Sequence, residues 1–278
     1  MIYLAYDGSL NGDWVSRYAT RFASHTEERR LTLIHILDQS ISKEQLEKKI
    51  EYLAAECRTQ DVHLITEIHP LDKNVPSSLL RTIPAAVQNV VVCGTRVRSR
   101  RHAFLTGTIS EKLLRWGRLN VLALRVVQPG VLGNPRDFLV PLSGHPRGFK
   151  TAWPFLRLFL PDVESVHLMR VMPVSFLRLP HLSLQQTQSL RGIGLGYLHS
   201  VVQEILQQRG TVQFRLDSRV IIGDDWIGEI LLQASDLKTR MILLGATEQP
   251  LPRRLIRTSQ LERLLAQTPC DVGIYRGL

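Results

Sequence analysis

The chain is poor in the residues that most often advertise a chemistry. Its 278 residues include only three cysteines, Cys57, Cys93 and Cys270. They are odd in number, far apart and form no CxxC pair, so neither a disulfide framework nor a zinc site is expected. Aromatic residues make up 6% of the chain and do not interleave with the basic ones as a base-stacking surface requires. No run approaches the ~18 consecutive apolar residues of a membrane span. Met1 to Tyr6 already reads as a strand, with no basic stretch ahead of an apolar one, so no secretory leader is expected. The signatures GxSxG, HExxH and GxxxxGK[ST] do not occur, and no nucleophile stands beside a recognisable base. A stapled secreted domain, a zinc protein and a hydrolase with a motif-borne site are thereby disfavoured. A reducing cytoplasm is the expected setting.

What the chain does have is an ordinary globular apolar content of 44% and an excess of base, with a formal net charge of +10. That balance favours anionic partners: nucleotides, nucleic acid or acidic surfaces. The length suits two domains of ordinary size.

The most informative stretch is Val90–Val127. Val90-Val91-Val92-Cys93 is a short apolar run of the kind found in strands buried on both faces. Gly94 ends it. A loop with Arg96, Arg98, Arg100 and Arg101 follows. Gly107-Thr108 opens a helix with Ile109, Leu113, Leu114 and Trp116 at helical spacing. A strand end, glycines and the free N–H groups of a helix start together suit an anion, often a phosphate.

This stretch recurs near the end of the chain. Met241–Leu244 is the strand, Gly245 ends it, and Arg253, Arg254 and Arg257 lie in the loop. Thr258-Ser259 opens the helix. The step from Gly94 to Gly107 is 13 positions, and so is the step from Gly245 to Thr258. Glu111-Lys112-Leu113-Leu114 falls on Glu262-Arg263-Leu264-Leu265. An ungapped match of this length signals an internal duplication.

Read in order, residues 1–127 alternate strand and helix. Ile2–Tyr6 is a strand, and Asp7-Gly8-Ser9 a turn at its carboxyl end. Asn11 or Asp13 caps a helix with Val15, Tyr18, Ala19 and Phe22 on one face. Leu31–Leu37 is the next strand, Ser42 starts a helix, and Val62–Ile68 is a third strand. A helix over Ser77–Val87, interrupted at Pro84, precedes the organising stretch. Such alternation predicts an α/β fold with a doubly wound parallel sheet, whose ligands sit at the carboxyl ends of the strands. Residues 128–135, with two prolines and two glycines, read as a linker. Residues 136–278 repeat the pattern, so two tandem Rossmann-like domains are expected. Val166–Met169 parallels Ile34–Leu37. The second copy carries extra sequence near 172–197, which reads as a long mobile connection leading into a helix.

With these residues in view, the chain resembles a tandem universal stress protein, two copies of that fold in one polypeptide. Nucleotide-binding members of the family carry G-x2-G-x9-G-[S/T]. The first copy here reads Gly94-x2-Val97-x9-Gly107-Thr108, with the spacing kept and one glycine replaced. The second reads Gly245-x2-Glu248-x9-Thr258-Ser259. The resemblance implies that Asp7 holds the adenosine end of a ligand and that the backbone of Ile36 faces the adenine. It implies Ser143 and Leu168 as the counterparts in the second copy. It also implies that the closing strands, Val121–Val126 and Val272–Arg276, join the two domains as a pseudo-twofold pair.

The expected site is therefore Asp7, Gly8, Ile36, Gly94, Arg96, Gly107, Thr108 and Ile109. Ser143, Leu168, Gly245, Thr258 and Ser259 form a degenerate equivalent. Valine in place of a loop glycine costs on the order of 1–3 kcal/mol where a left-handed or crowded backbone is required. That weakens binding about five-fold to a hundred-fold. Arginines in the loop offset part of this, whereas Glu248 would repel a phosphate. The expected function is weak binding of ATP or another adenine nucleotide, with Mg accompanying it. Its role would be regulatory rather than catalytic, with at most slow ATP hydrolysis. Two alternatives stand beside it. One is an interaction module with both pockets empty, as Val97 and Glu248 suggest. The other is a nucleic-acid-binding protein, suggested by the charge alone and lacking a reading motif. A homodimer and an unidentified protein partner are compatible with all three.

Overall fold

The computed structural model describes residues 1–95, 108–129, 134–144, 149–210, 213–246 and 258–278, with the side chains of 258 and 259 excepted. The chain divides into two compact units. Unit 1 is Met1–Asn134 together with Ile274–Leu278, and unit 2 is Pro135–Gly273.

Unit 1 runs β1 (Ile2–Ala5), α1 (Leu10–Ser24), β2 (Arg30–Leu37), α2 (Lys43–Thr59), β3 (His63–Pro70), α3 (Val75–Thr82), β4 (Val90–Gly94), α4 (Ile109–Trp116) and β5 (Asn120–Arg125). The strands lie in the order β3-β2-β1-β4-β5, and every pair is parallel. Strand order reverses on either side of β1 and β4, which opens a crevice at their carboxyl ends. Val90–Cys93 are all buried, because helices cover both faces of an internal parallel strand.

The helix caps follow from local chemistry, with two corrections. Ser9, not Asn11 or Asp13, caps α1, its hydroxyl accepting from Gly12 N at 3.0 Å. Asp13 is already inside the first turn. The helix expected over Ser77–Val87 starts earlier, behind the Asn74 cap, and stops at Thr82. Pro84 excludes the helical conformation from the residue before it, and Ile83 is extended, at ψ 120°. Ser42 caps α2 by accepting from Gln45 N.

Unit 2 contains β6 (Asp137–Pro141), α5 (Trp153–Leu156), β7 (Ser165–Pro173), α6 (Leu184–Gln208), β8 (Arg215–Gly223), α7 (Trp226–Asp236), β9 (Met241–Gly245), α8 (Thr258–Gln267) and the start of β10 (Asp271–Arg276). Here β6 pairs in parallel with both β7 and β9, and β7 with β8.

The extra sequence near 172–197 is not the mobile connection expected. Most of it is the amino half of α6, a 25-residue helix. A reciprocal capping box starts it: Ser183 Oγ accepts from Gln186 N, and Gln186 Oε1 accepts from Ser183 N. Gly194 is buried against β8, where a Cβ would come within 2.7 Å of Val220 Cγ1. Close approach of helix to strand there offsets the helix-weakening effect of glycine.

The second domain expected at 136–278 also ends early. Leu278 N donates to Asn120 Oδ1 at 2.9 Å, and Arg276 Nη1 donates to the Arg115 carbonyl at 3.3 Å. These bonds place the last residues with unit 1, where a cation at the C-terminus of α4 is favoured.

Candidate functional site

The carboxyl ends of β1, β2 and β4 surround a small cavity of about 40 Å³. Four of the expected residues meet there: Asp7, Ile36, Gly94 and Ile109. Leu79 and Val75 from α3 supply apolar wall, and His35 and Asp38 supply polar groups. His35 Nδ1–H donates to the Tyr6 carbonyl at 2.9 Å, which uses that donor and orients the ring. Cys93 closes the floor, and burial pushes its thiol up to about 12, so it stays protonated.

The two carboxylate oxygens of Asp7 differ in their surroundings. Its Oδ1 accepts from Ser9 N at 3.0 Å and from Ser9 Oγ at 2.6 Å, which fixes the turn into α1. Its Oδ2 accepts no hydrogen bond among the described residues. Gly8 takes φ +71° beside it and is covered by Ile41. On the far side of Asp7 lies a wider cleft of about 420 Å³, lined by Gly8, Ser9, Ser40, Gln45, Lys48 and Lys49. Lys49 and Tyr6 both donate to Asp13, so one lysine of the cleft is already paired. Burial, and then the bond to Asp13, push the Tyr6 phenol well above its ordinary value.

Gly94 is crowded. Asn11 Nδ2 lies over it and donates to the Thr95 carbonyl at 3.3 Å. Thr108 is the cap of α4, accepting from Glu111 N at 3.1 Å, with Ser110 Oγ 2.9 Å away. Arg96 and Gly107, with Val97 and the other loop arginines, lie outside the described residues. Motif reasoning misses the polar set of His35, Asp38 and Asn11. Asp38, standing directly after a strand end, carries a signal; Asn11 and His35 carry none.

In unit 2 Ser143 is exposed just after β6, and Gly245 ends β9. Thr258 and Ser259 are the first residues of α8. Leu168 does not stand where Ile36 does. Leu4 pairs with Leu33 and Val140 with Leu168. One step on, Tyr6 N donates to Ile34 O, and Leu142 N to Met169 O. Met169 therefore matches Ile34, Arg170 matches His35, and Val171 matches Ile36. The parallel between Val166–Met169 and Ile34–Leu37 is a chance likeness, three positions out of pairing register.

Among the described residues no cluster of three or more His, Cys, Asp or Glu is placed to hold a metal ion. No described helix is long and apolar enough to cross a membrane.

No protein-family model matches the chain, and no curated protein matches it in sequence. Solved structures do match. A universal stress protein from Archaeoglobus fulgidus superposes with a TM-score of 0.64 at 16% identity, covering 99% of this chain and 96% of that one. A candidate universal stress protein from Pseudomonas aeruginosa gives 0.60 at 16%, covering 98% and 91%. The cytoplasmic domain of a prokaryotic cation chloride cotransporter gives 0.59 at 9%, covering 99% and 94%. The chain has the Rossmann-like α/β fold of the universal stress proteins, a fold shared with a domain of a transporter.

Proposed function

We propose that this chain is a universal stress-type regulatory protein whose unit 1 binds an adenine nucleotide weakly. One observation carries the reading: Asp7, Ile36, Gly94 and Ile109, from four separate segments, line one cavity at the strand ends where such sheets take ligands. The free oxygen of Asp7 offers an acceptor for a hydroxyl or amino group, and the apolar wall suits a flat base. The cavity alone is far below the ~300 Å³ of an ordinary ligand site, so binding requires it to open. Part of the binding energy is spent on that opening, which makes the complex weak. Mg would arrive with the nucleotide phosphates. The chain acts by binding: nucleotide favours one conformation or partner over another. Unit 2 is a degenerate copy. Three buried, unpaired thiols suit the cytoplasm.

The test is calorimetric titration of the full chain with ATP. Saturable binding in the micromolar to millimolar range is expected, and Asp7→Ala should weaken it about ten-fold, or ~1.4 kcal/mol. No saturation at millimolar nucleotide rejects the reading. It would favour the second one, an interaction module that takes no nucleotide, whose support is the narrow cavity and the Asn11 side chain over Gly94.

A further inference from the structure

Arg170 in β7 is a cation whose partners are unfinished. Its Cζ lies 4.5 Å from the centroid of the Tyr197 ring, on α6. Gly144, just past β6, takes φ +87°, and a Cβ there would lie 2.5, 2.6 and 2.7 Å from Nη2, Cζ and Nη1. Three nearly equal distances mean that the glycine meets the flat of the guanidinium, not its edge. The positive φ favours glycine, and any larger residue there would have to push the guanidinium aside. The Nε of Arg170 is buried and has no hydrogen-bond partner. Among the described residues no carboxylate pairs with this side chain.

An arginine held flat against a ring and a glycine keeps its in-plane N–H groups for something else. Those N–H groups form the planar fork that matches phosphate and carboxylate oxygens. The location also suits a ligand, since Gly144 lies just past the carboxyl end of β6 and Arg170 is the first β7 residue beyond its pairing with β6. The contrast with unit 1 sharpens the point. There the same register position holds His35, whose Nδ1–H is already used on a carbonyl. In unit 2 that position holds a permanent cation with an unused donor.

We propose that unit 2 binds an oxyanion, a phosphate or a carboxylate, edge-on at the Arg170 guanidinium. Tyr197 and Gly144 hold the guanidinium in the plane the anion needs. Unit 2 is then not an empty copy but a site of opposite preference to the Asp7 cavity, whichever ligand unit 1 takes.

The experiment reads the arginine itself. The Nε–Hε resonance of Arg170 in the ¹⁵N-labelled full chain is followed against inorganic phosphate, and separately against acetate, at constant ionic strength. A saturable shift below about 0.1 M of either anion is expected, and the anion that answers tells which source the site prefers. In parallel, phosphate should raise the Tm of the native chain. Arg170→Met should abolish that rise, and Arg170→Lys, which keeps the charge but not the fork, should need about ten-fold more phosphate. An Arg170 resonance unmoved by both anions overturns the proposal. So does an Arg170→Met protein with the native phosphate response.

Discussion

Asn11 Nδ2 donates to the carbonyl oxygen of Thr95, 84 residues away, at 3.3 Å. The bond ties the start of α1 to the end of β4 and lays an amide across Gly94. A ligand approaching the β4 end must displace that amide. Asn11→Ala should therefore have two opposite effects. It should cost about 1 kcal/mol of stability, the usual worth of one such bond. It should also tighten nucleotide binding, because the cover is gone before the ligand arrives. Denaturant melts and ATP titration of the same protein check both. A variant that is less stable and binds no better would show that the amide supports the site instead of covering it.

The glycines of α6 give a test with its own control. A methyl group added at Gly192 or Gly196 would meet nothing within 4 Å, whereas one at Gly194 would meet Val220 at 2.7 Å and the Met172 sulfur at 3.3 Å. Gly192→Ala and Gly196→Ala should each stabilise unit 2 by about 0.5–1 kcal/mol through helix propensity. Gly194→Ala carries the same gain but must push valine atoms on a strand aside, at about 1–3 kcal/mol. Tm should rise for the outer two and fall for the middle one. A rise for all three would mean that the helix does not pack on β8 as closely as found.

The same helix shows where sequence reading stops. Prolines and glycines in 172–197 are breakers on a propensity scale, and they point to a connection rather than a helix. Tertiary contact at Gly194 and the Ser183–Gln186 box outweigh them. The box is legible as Ser-x-x-Gln, but a propensity sum over the glycines hides it. β4 is legible because four consecutive apolar residues need cover on both faces. Asp7 at a strand end is legible for the same topological reason. The strand pairing of β7 is not: Val-His-Leu-Met looks like Ile-His-Ile-Leu, and only the pairing of β7 with β6 fixes the register. Nor can the narrowness of the cavity be read, since it depends on how closely side chains from β1, β2, α3 and β4 come together.

The carboxyl terminus should matter to the amino-terminal unit. The Arg276 guanidinium packs over Gly117, which ends α4 at φ +58°, and donates to the Arg115 carbonyl. Arg276→Ala removes a cation and a donor from a helix C-terminus, worth about 0.5–1 kcal/mol. Hydrogen exchange should quicken at the amides of α4 and stay unchanged at those of α7, in unit 2. Equal quickening in both helices would point to a global loss of stability and not to the cap.

Alkaline pH offers the last test, and its sign follows from Cys93. Burial raises this thiol from an ordinary 9.0 to about 12. A group whose folded value is raised contributes stability in full below the unfolded value and loses it as pH rises through the folded one. Between about pH 9 and 12 the unfolded chain releases the Cys93 proton while the folded chain keeps it. Stability should therefore fall over that window by up to ~1.4 kcal/mol per pH unit from this residue. Cys57 and Cys270, both raised first by burial, and the buried tyrosines Tyr3 and Tyr6 add to the slope. Cys93→Ala should flatten the decline without removing it, because the other groups still titrate. Urea melts at about pH 8, 9 and 10 measure the slope for both proteins. If the substitution leaves the slope unchanged, Cys93 is not the closed floor of the cavity, and water already reaches the strand ends where the nucleotide is expected to bind.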